Sequence, residues 1–216
     1  SSGPISLTGN GGFSSPGIHV TSGSIESVSG SITLNGTGGP GPSDTQGIVL
    51  TGATVSVETS SVNAGDIFLT GTGNGTGANA DGIQVISGAE VTTLFGGNIA
   101  LRGTGSTTGG GSSRGIFVDG AGSLVSSQNG NIEINGTGGN NGGSNNGMQV
   151  SNGGVITATD SGIIGGSTVG QGDLIGGNGN ANNNGLLVTG SNSRITAANG
   201  GIILRGTGAG TTTNNN

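Results

Sequence analysis

The sequence predicts an all-β protein, a right-handed parallel β-helix (a three-sheet solenoid) with about 33 residues per coil, in six full coils plus part of a seventh. Three observations predict this fold. A nine-residue motif recurs along the chain, three short blocks follow one another in fixed order, and aliphatic residues alternate with other residues inside each block. Parallel crossover connections are right-handed in nearly all proteins, which sets the expected hand.

Block A is the recurring motif, written GNIALRGTG from Gly97 to Gly105. It begins at Gly3, Gly30, Gly65, Gly97, Gly130, Gly162 and Gly200. Its first aliphatic column is Ile5, Ile32, Ile67, Ile99, Ile132 and Ile202, and its second is Leu7, Leu34, Leu69, Leu101, Ile134 and Leu204. The residues between these columns vary in character, so we expect the columns to face a dry interior and the variable residues to face outward.

Blocks B and C complete each coil. Block B is a glycine followed by two aliphatic residues around a variable one, as in GIFV. It begins at Gly17, Gly47, Gly82, Gly115, Gly147 and Gly185. Block C is a β-branched or aliphatic residue followed by Ser, Thr or Ala, with Glu26 as the break in this pattern. Its expected inward residues are Ile25, Val55, Val91, Val125, Ile156 and Ile195.

The spacing of the blocks indicates stacked coils. Successive block B glycines are 30, 35, 33, 32 and 38 residues apart. A unit of this length cannot bury an apolar face alone, so each strand must pair with its equivalent one coil later. At about 4.8 Å per coil, the rod would be on the order of 30 Å long.

Small residues are expected to form the corners. We expect the GTG triplet and the first glycine of block B to turn the chain with φ above zero, and asparagines such as Asn140 and Asn141 to do the same in loops. One threonine recurs at an equivalent position and is expected to stack as a structural ladder. Its members are Thr37, Thr72, Thr104, Thr137 and Thr207.

The repeat is imperfect in its sixth coil. Counting from Gly147 places block A at Gly162, where Gly166 replaces the second aliphatic residue, and block B begins 23 residues later at Gly185. Insertions on solenoids often carry binding sites, and drift of the repeat is the alternative explanation. The candidate binding residues of this 162–185 insertion are Gln171, Asp173, Asn178, Asn180 and Asn182.

Composition excludes several functions. The net charge is −6, with four arginines and no lysine, which argues against nucleic acid as a partner. The chain has no cysteine, so neither a disulfide framework nor a cysteine metal site is expected. No apolar run approaches the roughly 20 residues of a membrane-spanning helix.

Catalysis is not expected either. Glycoside-cleaving sites need paired carboxylates, and we expect no column to carry two acids side by side. His19 is the only histidine and is expected to point outward, which argues against a catalytic triad or a histidine metal site. The stretch GGNGNAN has Ala181 where calcium-binding repeats have an acid, so no metal or cofactor is predicted.

Ice binding is a weaker alternative, because it requires a flat and regular threonine array. The outward residues expected on block C are Glu26, Ser56, Thr92, Ser126, Thr157 and Thr196. This single column is broken at one end and has no paired second column.

GNIALRGTG, followed by GIFVDGAGSLVSSQNGNIEINGTGG, resembles the repeat regions of large bacterial surface and secreted proteins of the filamentous haemagglutinin type, including cyanobacterial haemagglutinin-like proteins. The resemblance covers essentially the whole chain. It implies a right-handed parallel β-helix, export to the cell surface, and a structural or adhesive role as a rod or fibre.

We therefore expect residues 1–216 to form one segment of a longer extracellular, non-catalytic rod on a bacterial surface. The expected partners are copies of the same protein, joined end to end or laterally into fibres, and host or surface glycans. The alternative is a carbohydrate-active or ligand-binding β-helix that uses the 162–185 insertion.

Overall fold

A computed structural model describes residues 2–43, 45–159, 173–177, 184–198 and 201–208, without the side chains of 173–177 and 205–208. These residues form 19 strands and no helix. The strands are β1 (Ile5–Asn10), β2 (Ile18–Val20), β3 (Ser24–Ser27), β4 (Ile32–Thr37), β5 (Ile48–Thr51), β6 (Ser56–Thr59), β7 (Ile67–Thr72), β8 (Ile83–Ile86), β9 (Glu90–Thr93), β10 (Ile99–Thr104), β11 (Ile116–Asp119), β12 (Leu124–Gln128), β13 (Ile132–Thr137), β14 (Met148–Ser151), β15 (Val155–Thr159), β16 (Asp173–Gly177), β17 (Leu186–Thr189), β18 (Arg194–Ala197) and β19 (Leu204–Gly208). No helix in this part of the chain is long and apolar enough to cross a membrane.

The strands form three parallel sheets, and every third strand belongs to the same sheet. Sheet A has seven strands in the order β1-β4-β7-β10-β13-β16-β19, sheet B has six from β2 to β17, and sheet C has six from β3 to β18. Blocks A, B and C of the sequence supply sheets A, B and C. The predicted three-sheet parallel solenoid is therefore confirmed.

The interior is a continuous stack of aliphatic side chains. In the four coils from β4 to β15, both predicted columns of block A are fully buried, as are the paired aliphatic residues of block B. Leu7 in β1 is 42% exposed and Ile202 before β19 is 45% exposed, because the outer strands of sheet A have a neighbour on one side only. A strand therefore needs a neighbouring coil on both sides to exclude water from its inward side chains.

Block C has a different register from the one expected in its second coil. Val57, and not Val55, pairs with Ile25 on one side and Val91 on the other. Val55 is also buried, two residues earlier on the same face. A shift of two residues keeps every side chain on its face, so alternation alone could not distinguish the two registers.

The glycines of blocks A and B act by close packing, which corrects the expected positive φ. Gly71 and Gly82 do not have φ above zero. A Cβ placed on Gly71 would overlap the carbonyl oxygen of Gly82, so the two backbones touch where sheet A turns into sheet B. Positive φ occurs instead within the connections between sheets, for example at Gly88 and Asn152 between sheets B and C and at Asn79 between sheets A and B.

Buried hydroxyl groups satisfy the corner between sheets C and A. Thr93 and Ser127 are buried, and their Oγ atoms donate hydrogen bonds to the carbonyl oxygen of Gly97 at 2.6 and 2.9 Å. Beside them, Asp66 Oδ1 accepts the backbone N–H of Asn98 at 2.8 Å, and Asn98 Oδ1 accepts that of Asn131 at 2.9 Å. Side chains thus supply the hydrogen bonds that irregular backbone lacks.

Replacing Ile99 by Asp should lower the free energy of unfolding by several kcal/mol, because an unpaired carboxylate would lie buried between Ile67 and Ile132. Thermal and urea unfolding followed by circular dichroism measure the loss. Thr70→Asp, on an exposed position of the neighbouring strand, is the matched control and should change melting little. An Ile99→Asp variant that melts like the unsubstituted protein would contradict the buried column.

Candidate functional site

The extra residues of the long coil occupy only the first part of the predicted 162–185 insertion, before β16. The connection from β15 to β16 contains 13 residues (160–172), against three (129–131) between β12 and β13. The connection from β16 to β17 contains eight (178–185), against ten (138–147) between β13 and β14. Block A of this coil therefore does not begin at Gly162, and residues 178–185 are not an insertion.

Only Asp173 of the five candidate binding residues is among the described residues, so the predicted binding site stays a prediction. Gln171, Asn178, Asn180 and Asn182 lie outside the described residues. Asp173 begins β16 and pairs with Leu204, so its backbone occupies the second column of block A and not a projecting loop. The depressions of the described surface lie on the outer faces of the sheets.

A depression of the described surface lies on sheet C. It has a volume of about 600 Å³ and runs along the rod axis beside the turns between sheets B and C. We call it the sheet C groove. It is lined by Glu90, Ala121, Gly122, Ser123, Leu124, Asn152, Gly153, Val155, Thr157, Ser191, Asn192 and Arg194.

One column of register partners forms the floor and both ends of the groove. Glu90 pairs with Leu124, Leu124 with Val155, and Val155 with Arg194. Glu90 and Arg194 are exposed, while Leu124 and Val155 are half-buried. The groove therefore has an acid at one end, a base at the other and an apolar floor between them.

Carboxylates concentrate at the Glu90 end. Glu26 and Glu58 are direct register partners in β3 and β6, which corrects the expectation that no column carries two adjacent acids. The outward column considered for ice binding contains Glu58 in place of Ser56, because Glu58 pairs with Glu26 and Thr92. Two of the six positions of this column are therefore charged. The two ion pairs of the described residues, Arg102–Glu133 and Arg114–Asp81, include none of these three glutamates.

A second polar cluster is buried on the outer side of sheet B. The Asp81 carboxylate accepts hydrogen bonds from Arg114 N at 2.6 Å, Arg114 Nε at 3.1 Å, Arg114 Nη2 at 2.9 Å and Gln84 Nε2 at 2.7 Å. The Arg114 guanidinium lies 3.7 Å from the ring centroid of Phe117. Because the carboxylate already receives four donors, this cluster covers the sheet and offers little to a ligand.

Burial raises the pKa of the Asp81 carboxyl above its ordinary value, and the charge and hydrogen bonds of Arg114, with the hydrogen bond from Gln84, act against that rise. An acid with a raised pKa holds its proton more tightly in the folded chain. Its contribution to stability is therefore present at low pH and falls as pH rises through the raised pKa.

The outer face of sheet A carries a smaller depression, about 220 Å³, beside Phe68, whose side chain is 40% exposed. Its polar groups bond largely to each other: Asn98 Nδ2 donates to Asp66 at 3.0 Å, and Arg102 pairs with Glu133 at 3.1 Å. The predicted threonine positions are register partners along this face from β4 to β13, and Thr207 follows after Gly176. The outer face of sheet A is regular, but few of the polar side chains around this depression are left to bind a ligand.

No metal site emerges among the described side chains, since no three His, Cys, Asp or Glu residues lie close enough together to hold an ion. His19 is exposed on sheet B, as expected.

No family model, curated protein or solved structure matches the chain. The resemblance to filamentous haemagglutinin repeats therefore stays a prediction.

Replacing Arg114 by Gln should destabilise the protein by about 3 to 5 kcal/mol near pH 7, because Asp81 would remain buried without its cation. The pKa of Asp81 should rise further, so the loss should be smaller at pH 4 than at pH 7, because protonation at the lower pH removes more of the unpaired buried charge. Urea unfolding at both pH values measures the difference.

Two controls accompany that experiment. Arg102→Gln breaks an exposed ion pair and should cost about 1 kcal/mol or less. Adding Asp81→Asn to Arg114→Gln should restore part of the stability. The loss of stability that remains should then be the same at both pH values. An Arg114→Gln loss that is equal at both pH values would contradict the role given to Asp81.

Proposed function

We propose that the chain is a structural and adhesive segment of an extracellular rod or filament on a bacterial surface, with no catalytic role. Its work is mechanical. Stacked strands and aliphatic columns keep the segment stiff, and its outer faces meet other surfaces.

The observation that carries this proposal is the unbroken register of the three sheets over the four coils from β4 to β15. Ile32, Ile67, Ile99 and Ile132 are successive partners, and each of them is fully buried. Within these four coils all three sheets pair with the next coil, and the stability of such a stack is distributed along its length. Uniform packing of this kind resists bending, which is what a stalk or fibre requires.

The outer surface also fits a role in contact with other molecules. The outer face of sheet A carries one continuous column of threonine across β4, β7, β10 and β13, formed by Thr37, Thr72, Thr104 and Thr137. Several such faces can pack laterally against copies of the same rod, or against glycans. The resemblance of the repeats to surface proteins of the filamentous haemagglutinin type supports the same proposal.

Antibodies raised against the chain should label filaments on the outside of intact cells that make it, when examined by immunogold electron microscopy. Fab fragments of the same antibodies should reduce the adherence of those cells to glycan-coated surfaces. Labelling found only after the cells are permeabilised would overturn the extracellular role. If filaments are labelled but adherence is unchanged, the structural role stands and the adhesive role is wrong.

A further inference from the structure

We infer that the sheet C groove binds a short peptide with free termini, its ammonium group at Glu90 and its carboxylate at Arg194. This site does not depend on the rod or adhesive role proposed above. It rests on the charges at the two ends of the groove, on the distance between them, and on the apolar floor that they enclose.

The charges of the groove are arranged as a dipole. Glu90 and Arg194 line opposite ends of the groove, and Glu26 and Glu58 lie beyond the Glu90 end, in the two preceding coils and in the neighbouring column of sheet C. The field along the groove therefore favours a ligand that is positive at one end and negative at the other. A polyamine would meet repulsion at Arg194, whereas a peptide carboxylate can accept the paired N–H donors of its guanidinium.

The distance between the charges selects a peptide over a free amino acid. Glu90 and Arg194 are separated by three coil steps, which at about 4.8 Å each place their backbones roughly 14 Å apart. An extended chain rises about 3.3 Å per residue, so three or four residues reach from one end to the other. The two charges of a single amino acid are too close together to do so.

The floor is apolar only between the two charges. The positions before Glu90 in the same column are Ser24 and Ser56, whereas those after it are Leu124 and Val155. These two half-buried side chains offer contact to aliphatic side chains in the middle of the peptide. The apolar stretch thus coincides with the part of the groove that a bound peptide would cover.

Hydroxyl groups along the groove can meet the peptide backbone. Thr157 lines the groove, and its Oγ1 accepts a hydrogen bond from Thr196 at 2.9 Å. Its own O–H then points elsewhere and is available to a peptide carbonyl. Ser126 pairs with Thr157 one coil earlier, which extends this polar edge parallel to the apolar floor.

The test is an NMR titration of the full chain, labelled with ¹⁵N, with the tetrapeptide Ala-Val-Val-Ala at millimolar concentrations. The backbone amides of Leu124, Val155 and Arg194 should shift. Acetylating the amino terminus or amidating the carboxyl terminus should each weaken binding by about fivefold, as expected for loss of one exposed ion pair. Absence of binding, or equal affinity of free and capped peptides, would overturn the proposal.

Two variants assign the ends of the peptide without relying on total affinity. In Arg194→Gln the free and amidated peptides should bind equally, while acetylation should still weaken binding. In Glu90→Gln the free and acetylated peptides should bind equally, while amidation should still weaken binding. Arg102→Gln, on sheet A, is the matched control and should keep both differences. A carboxyl-terminal capping effect that persists in Arg194→Gln would contradict the orientation.

Discussion

The structure depends on strands of consecutive coils pairing in parallel with equivalent residues opposite each other. Ile67 and Ile99 are fully buried because each lies between the isoleucines of the preceding and following coils. An aliphatic side chain stacked in this way loses its contact with water on both sides, and the backbone hydrogen bonds of the sheet are satisfied at the same time. Every other feature of the molecule accommodates this stacking.

The corners show what the stacking requires of the rest of the sequence. At the turn from sheet A to sheet B, the backbones approach so closely that Gly71 and Gly82 leave no room for a side chain. At the turn from sheet C to sheet A, the hydroxyls of Thr93 and Ser127 satisfy the buried carbonyl of Gly97. The abundant glycine, serine and threonine are therefore structural residues of the coil and not signs of disorder.

The outer faces are free to vary because they do not contribute to the stack, and chemistry specific to this chain is found there. The column of Glu90, Leu124, Val155 and Arg194 holds an acid, two aliphatic residues and a base, although its strands pair as regularly as those of the core. A regular rod therefore presents an irregular surface, in which neighbouring coils bring distant parts of the sequence together. A structural rod and a local ligand site are compatible for this reason.

The sequence by itself determined the three-sheet solenoid, its period and most of the buried residues, because stacking requires the same residue types at fixed intervals. The registers of Val57 and Glu58, the position of the extra residues between β15 and β16, and the buried Asp81–Arg114 pair appeared only in the tertiary structure. Turn lengths vary from coil to coil, and a shift by two residues preserves the alternation. Which outward residues become neighbours, and so whether a groove forms, is decided by strand pairing between coils and not by the local pattern.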